Sequence, residues 1–205
     1  MAKVLRYGEQ SILIEEIDPN QYLKQLIKAL PEAKVRAGLE SLIVTFPETG
    51  DHVAKVESAL KDLQPEADEA SGKLFIIPVE YNGEDLAVAA ELADAGVEQL
   101  ISAHTAITWK VKLIGFAPGF PYLVPTEDME PAKLLGVIGR LAVPRRQVPA
   151  GSVGIAAGMS CIYPDVMPGG WHLIGTSSIA LFDATNKDQP NLLSIGDLVR
   201  FEVAN

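Results

Sequence analysis

Between Ile114 and Ile174, glycine and proline recur every few residues, yet the residues between them are apolar or aromatic. The stretch contains IGFAPGFPYLVP, then PRRQVPAGSVGIAAG, then CIYPDVMPGGWHLIG. Proline fixes its own φ and restricts the residue before it, while glycine allows backbone angles and close approaches closed to other residues. Such a segment suits short strands joined by rigid, shaped loops that line a concave surface. Arg140, Arg145 and Arg146 lie within it, in a chain whose formal net charge is −10 over 205 residues. Basic residues concentrated there point to a cleft that accepts an anion or a carboxylate.

The acidic balance argues against a nucleic-acid or anionic-membrane partner, because phosphate binding needs a basic face. A length of 205 residues fits one large domain or two small ones. Cys161 is the single cysteine, which excludes an intrachain disulfide and suits a reducing compartment. The first residues, MAKVLRYGEQ, hold no apolar run of the signal-peptide kind, and no window reaches the roughly 18 apolar residues of a membrane span. The expectation is a cytoplasmic protein.

Two textures follow one another along the chain. Up to about residue 80, Val4–Tyr7 and Ser11–Glu15 read as strands. Asp18-Pro19 then opens a helix with Leu23, Leu26 and Leu30 on one face. Two more strands, a helix from Asp51 and the apolar strand Leu74–Val79 complete the series. That order predicts an α+β, ferredoxin-like N-terminal domain over 1–80, with one additional strand at its start. From Tyr81 onward Asn82-Gly83 marks a turn, two small helices lead to His104, and the remainder is mostly strands and loops. Residues 81–205 therefore read as a mainly-β barrel or sandwich.

Familiar catalytic signatures are absent. There is no GxxxxGK[ST], no HExxH and no paired-cysteine motif, and His52, His104 and His172 are too scattered for a zinc site, so no metal is expected. Ser152 follows Gly151 directly and does not form a GxSxG elbow; a loop serine capping backbone amides is its default reading. His104, between a helix and the Trp109 strand, is either a histidine bonded to backbone or a general acid/base facing the glycine- and proline-rich loops. Arg140 and Arg145, five residues apart, carry guanidinium forks that match carboxylate or phosphate oxygens, whereas Arg146 reads as solvated. Phe116, Phe120, Tyr122, Tyr163 and Trp171 read as core, although Gly169-Gly170 beside Trp171 leaves that ring able to pack over a ligand.

Gly115-Phe116-Ala117-Pro118-Gly119-Phe120-Pro121-Tyr122-Leu123, Val148-Pro149-Ala150-Gly151-Ser152-Val153, and Ile162-Tyr163-Pro164 with Pro168-Gly169-Gly170-Trp171 closely resemble the bacterial family of 5-oxoprolinase B subunits, also called KipI or allophanate hydrolase subunit 1. The resemblance implies a small N-terminal α/β domain followed by a cyclophilin-like β-barrel, and a partner of the 5-oxoprolinase C-subunit or KipA type. It also implies ATP-dependent opening of 5-oxoproline to glutamate, shared with a third subunit. Family members of other classes inhibit a sensor histidine kinase or act as carboxyltransferase components on small amides. On this basis His104 and Arg145 are expected to be catalytic. Arg140, Gly119, Phe120, Gly151, Ser152, Gly170 and Trp171 are expected to bind substrate. Three positions depart from the family pattern: Gly139 replaces a proline, Met159 a glutamine and Thr176 an arginine.

Overall fold

The computed structural model describes residues 2–65 and 72–204. The chain divides into two compact units, Met1–Glu69 and Ala70–Asn205.

The first unit begins with a hairpin of β1 (Lys3–Tyr7) and β2 (Ser11–Glu15). Helix α1 (Pro19–Ala29) follows; the Asp18 carboxylate accepts from the Asn20 N–H at 3.1 Å, and proline occupies the first turn where no intrahelical donor is needed. Strands β3 (Lys34–Ala37) and β4 (Ser41–Thr45) and helix α2 (Val53–Lys61) complete it. The sheet is antiparallel throughout, in the order β1-β2-β4-β3. Period-two alternation on β2 and β4 turns Ile12, Ile14, Leu42 and Val44 to one face, where they bury Leu26 and Val56 of the two helices.

The expected last strand of this unit pairs elsewhere. Its place beside β2 is taken by β1, which reaches it through a tight turn at Gly8, whereas β5 (Leu74–Val79) runs parallel to the C-terminal strand of the second unit. The physical reason lies in its side chains: Ile77 and Val79 are fully buried in the second unit's core. Pro78, which has no N–H to donate, suits the edge position that β5 holds there. The expected boundary near residue 80 therefore cuts through the second sheet's first turn.

The second unit continues with α3 (Leu86–Leu92), α4 (Val97–Ala106), β6 (Thr108–Ile114), β7 (Pro121–Pro125) and α5 (Glu130–Gly136). Then come β8 (Arg145–Val148), β9 (Ser152–Ala156), β10 (Met159–Ile162), β11 (Met167–Gly169), β12 (His172–Thr176) and β13 (Leu198–Val203). Seven strands form one sheet, β12-β9-β10-β7-β6-β13-β5, and β8 with β11 makes a separate ribbon. Helix α5 falls where the sequence reads mostly as strands and loops; its seven residues are too few to show a clear helical period.

The seven-stranded sheet curls until its edges meet. Glu80 and Thr176 exchange backbone hydrogen bonds of 2.9 Å in each direction, joining the end of β5 to β12. Gly83 continues the seam by donating to the Ile174 carbonyl at 3.3 Å, and a Cβ at this position would collide with the Leu173 carbonyl. Inside the curl lie Trp109, Val111, Leu123, Ile155, Ile174 and Phe201, with Leu100 of α4 and Leu135 of α5 in the same core.

His104 belongs to this interior. It is wholly buried on α4, its ring stacked on Phe201 at 4.4 Å between centroids. Nδ1 lies 2.7 Å from the Tyr81 hydroxyl and Nε2 lies 2.9 Å from Ser160 Oγ. Ser160 Oγ donates to the Gly154 carbonyl at 3.3 Å. Assigning the protons to satisfy every group, Nε2–H donates to Ser160 and Nδ1 accepts from Tyr81. Burial pushes the imidazole pKa down to about 3, so the ring is neutral at pH 7. An unfolded histidine titrates near 6.5. Below that pH the unfolded chain binds a proton that the folded chain refuses, so stability falls as pH drops from about 6.5 towards 3, by up to about 1.4 kcal/mol per pH unit. Urea midpoints measured at pH 7, 6, 5 and 4 should fall about one proton less steeply in His104→Gln than in wild type. Parallel pH profiles would contradict the buried neutral assignment.

Candidate functional site

On β10 and β12 and at the residues flanking β7, β10 and β12, side chains that face away from the inner core form a second apolar cluster. Phe120, Cys161, Tyr163, Trp171 and Leu173 belong to it, while their neighbours Leu123, Ile162 and Ile174 point inward. Phe120 sits at its centre, edge-on to Tyr122, Tyr163 and Trp171 with centroids 5.2, 5.2 and 6.2 Å away. Rings in this T-shaped arrangement add about 0.5–1.5 kcal/mol per pair beyond their burial, which makes a rigid floor. Met159 packs against the same cluster, a flexible thioether where the family pattern has an amide.

A cleft of ≈ 310 Å³ opens above this floor. The β8–β11 ribbon and the chain flanking it, with Leu141, Pro144, Pro168 and Gly169, border it on one side. The Leu141 N–H donates to the Gly170 carbonyl at 2.7 Å and fixes that side in place. Gly169 lies so close to the Tyr163 hydroxyl that any side chain there would displace the ring. Phe116 stands at the mouth, 67% exposed and at a φ of 71°. A bulky residue in the left-handed region costs about 1–2 kcal/mol, and here that cost presents an aromatic face to solvent.

The two arginines of the sequence reading have separate places. Arg140 is exposed at the cleft, the only charged residue among the described residues that line it, and it makes no ion pair within the described structure. Burial raises the pKa of the neighbouring Tyr122, and the Arg140 charge partly offsets the rise. Arg145 points to the seam instead. Its Nη2 donates to Asp85 Oδ1 at 2.7 Å and its Nε lies 2.7 Å from Glu84 Oε1. The other Asp85 oxygen accepts from the Leu173 N–H at 2.7 Å. Arg145 is thus neutralised by two carboxylates, and Asp85, whose role the sequence reading missed, joins β8 to β12. Along the sequence Glu84-Asp85 marks only the start of a helix; the fold brings Arg145 beside it.

The remaining expected site residues divide in the same way. Phe120, Gly170 and Trp171 line the cleft with Arg140. Gly119, at positive φ in the turn before β7, packs against Leu181 and Phe182. Gly151 and Ser152 act on the cleft from behind through the backbone: the Gly151 N–H donates to the Tyr163 carbonyl at 2.7 Å, and the Tyr163 N–H donates to the Ser152 carbonyl at 2.9 Å. His104 is on the other side of the sheet and does not reach the cleft. Arg146 is exposed on β8. Thr176 bonds Asn82 at the seam, so the departure there lies outside the cleft lining.

The titratable groups lining the cleft are Arg140, Tyr122 and Tyr163, and burial raises both phenols. Neither phenol gives up its proton readily at neutral pH. The cleft can therefore bind, orient and stabilise negative charge. Among the described residues, no group of three or more His, Cys, Asp or Glu side chains could hold a metal ion, and no helix is long and apolar enough to cross a membrane.

The seam pair is open to a direct test. Asp85 is 8% exposed and its hydrogen bonds are charge-assisted, so Asp85→Ala should cost about 1.5–3 kcal/mol. The Glu84 side chain is 62% exposed, and Glu84→Ala should cost about 0–1 kcal/mol. Urea unfolding of both variants checks this order, and equal losses would contradict it.

Comparison with known proteins places this architecture. A 5-oxoprolinase B subunit from Escherichia coli O157:H7 is 42% identical over 143 residues, covering 67% of this chain and 62% of that protein. A 5-oxoprolinase B subunit from Haemophilus influenzae is 37% identical over 190 residues, covering 89% and 84%. The crystal structure of the Kluyveromyces lactis urea amidolyase matches with a TM-score of 0.76 at 19% identity, covering all of this chain and 15% of that one; at that identity the likeness speaks for the fold alone. The chain thus spans less than two thirds of the E. coli relative. The family model described as carboxyltransferase domain, subdomain C and D matches residues 2–193. With a mainly-β curled sheet, an aromatic cleft on its outer face and these relatives, the chain belongs to the carboxyltransferase domain, subdomain C and D family.

Proposed function

We propose that this chain is one subunit of an ATP-dependent 5-oxoprolinase, acting in a complex with a protein of the C-subunit or KipA type and a third subunit in the cytoplasm. The observation that carries the reading is the cleft: a rigid aromatic floor with one guanidinium that has no ion-pair partner among the described residues, in a chain whose named relatives are 5-oxoprolinase subunits. The substrate of that enzyme is a compact lactam ring bearing one carboxylate, which is an apolar body with a single negative charge. In the same reading, the second unit is a cyclophilin-like barrel and the first a variant of the ferredoxin-like arrangement in which β1 replaces the last strand.

The residues of the cleft do not fit a nucleoside triphosphate. Arg140 alone would face several phosphate charges, in a chain of net charge −10 with no phosphate-cradling GxxxxGK[ST] loop. We therefore assign ATP to a partner subunit. ATP supplies the driving force that makes an otherwise unreactive lactam hydrolysable. This chain contributes binding and orientation: the aromatic walls exclude water from the ring, and Arg140 fixes its charged end, as positioning groups do when they convert a collision into a held geometry. Proton transfer falls to groups outside this cleft.

Exposed apolar residues favour a protein partner as well. Phe116, Val143 and Val166 are 67%, 79% and 56% exposed, and large apolar side chains left in water are ones that a protein partner would cover. Co-expression with a protein of the C-subunit or KipA type should yield one complex on size-exclusion chromatography at micromolar concentration. Glutamate should form from 5-oxoproline and ATP only when all subunits are present. Separate elution, or glutamate production by this chain alone, would contradict the proposal; inhibition of a sensor kinase without any glutamate release would favour the kinase-inhibitor branch of the family instead.

A further inference from the structure

We infer that the aromatic cleft of this chain is itself the binding site for a small ring carboxylate, with Arg140 as the residue that selects the negative charge. The inference rests on the 5-oxoprolinase reading for the choice of 5-oxoproline as probe, and on the geometry for everything else.

Arg145 lies close behind the cleft, and sequence spacing by itself gives both arginines to the ligand. The structure separates them. Asp85 and Glu84 answer the Arg145 charge at 2.7 Å each, so it adds no net positive field to the cleft. Arg140 has no acidic partner in the described structure, and no carboxylate lies among the residues that line the cleft. Among the described residues, the lining of the cleft therefore carries one formal positive charge, in a protein of net charge −10. One guanidinium fork matches one carboxylate through two parallel hydrogen bonds. A dianionic phosphate group would need more donors than this cleft offers.

The rest of the lining chooses the body of the ligand. Phe116, Phe120, Trp171, Pro144 and Pro168 present apolar faces, and ≈ 310 Å³ accommodates a small ring. The floor is held rigid by the ring contacts around Phe120, and Gly169 and Gly170 keep that side free of side chains. Ring and charge are thus recognised separately. A neutral ring lacks the partner for Arg140; a carboxylate without a ring lacks the aromatic contacts. The cleft is open to water in the isolated chain, so a dissociation constant on the order of 1 mM is expected.

Trp171 provides the readout, because the other tryptophan, Trp109, is fully buried in the inner core. Titration of 5-oxoproline into the full chain should give a saturable change in emission that Trp171→Phe removes. 2-Pyrrolidone, the same ring without the carboxylate, and acetate, the carboxylate without the ring, should each bind at least about tenfold more weakly. Arg140→Ala should abolish the preference for 5-oxoproline over 2-pyrrolidone, Arg140→Lys should restore part of it, and Arg146→Ala should leave it intact. Urea midpoints confirm that each variant is folded. Equal binding of 5-oxoproline and 2-pyrrolidone to wild type, an unchanged preference in Arg140→Ala, or no saturable response up to about 50-fold above the expected constant would overturn the inference. So would an Arg140→Ala variant that fails to assemble with its partner while 5-oxoproline binds neither chain; the cleft would then be a protein dock. The two readings fail separately. A reconstituted complex that turns over 5-oxoproline with the same KM in Arg140→Ala removes this site and leaves the enzyme assignment standing. Arg140-dependent binding with no glutamate from any complex does the reverse.

Discussion

A single carboxylate holds the second unit together at the point where its sheet closes. Asp85 accepts from the Leu173 N–H through one oxygen and from Arg145 through the other, both at 2.7 Å. Beside it the backbones of Glu80 and Thr176 pair, and Gly83 allows the chain to cross Leu173 without a side chain in the way. A curled sheet leaves two edges whose amide groups must find partners. Here the turn between β5 and α3 supplies them, and the charge-assisted bonds of Asp85 fix the register. The same residue reaches the β8–β11 ribbon through Arg145, so closure of the sheet and placement of one side of the cleft are one event.

Closure also divides the chemistry by face. Inside, large side chains pack around Trp109 and Phe201, and one polar chain threads among them: His104 bonds Tyr81 and Ser160, and Ser160 bonds onward to the Gly154 carbonyl. Burial keeps the imidazole neutral, which costs the fold little at pH 7, where an unfolded histidine is mostly neutral as well, and removes it from proton transfer at the cleft. Outside, the alternate residues of the same strands build the aromatic floor around Phe120. One strand pattern thus makes both the core and the site, and a shift of one residue in β7 or β10 would exchange them.

Much of this was legible in the sequence, for identifiable reasons. Short strands and capped helices of the first unit announce themselves through Asp18-Pro19 and the alternation in Ser11–Glu15 and Ser41–Thr45. The glycine- and proline-rich blocks point to a shaped cleft; of the residues expected at a ligand, Phe120, Gly170, Trp171 and Arg140 line it, and Gly119, Gly151, Ser152, Arg145 and His104 do not. What stayed hidden depends on contacts between distant residues. Strand Leu74–Val79 carries a good β pattern, but nothing local says which sheet takes it. Arg140 and Arg145 look equivalent along the chain, and only the fold brings Glu84 and Asp85 to one of them. His104 has neighbours suited to either reading until burial is known.

The two arginines therefore sit in different surroundings: Arg145 is bonded to Asp85 and Glu84 at the seam, and Arg140 is exposed in the cleft. Urea unfolding of Arg140→Ala and Arg145→Ala at pH 7 tests this with no assumption about partner or substrate. Loss of the Arg145 bonds leaves the buried Asp85 carboxylate short of a partner, so that variant should lose about 1.5–3 kcal/mol. Arg140 is exposed and has no ion-pair partner among the described residues, so its variant should stay within about 0.5 kcal/mol of wild type. Equal midpoints for the two variants, or the larger loss in Arg140→Ala, would contradict it.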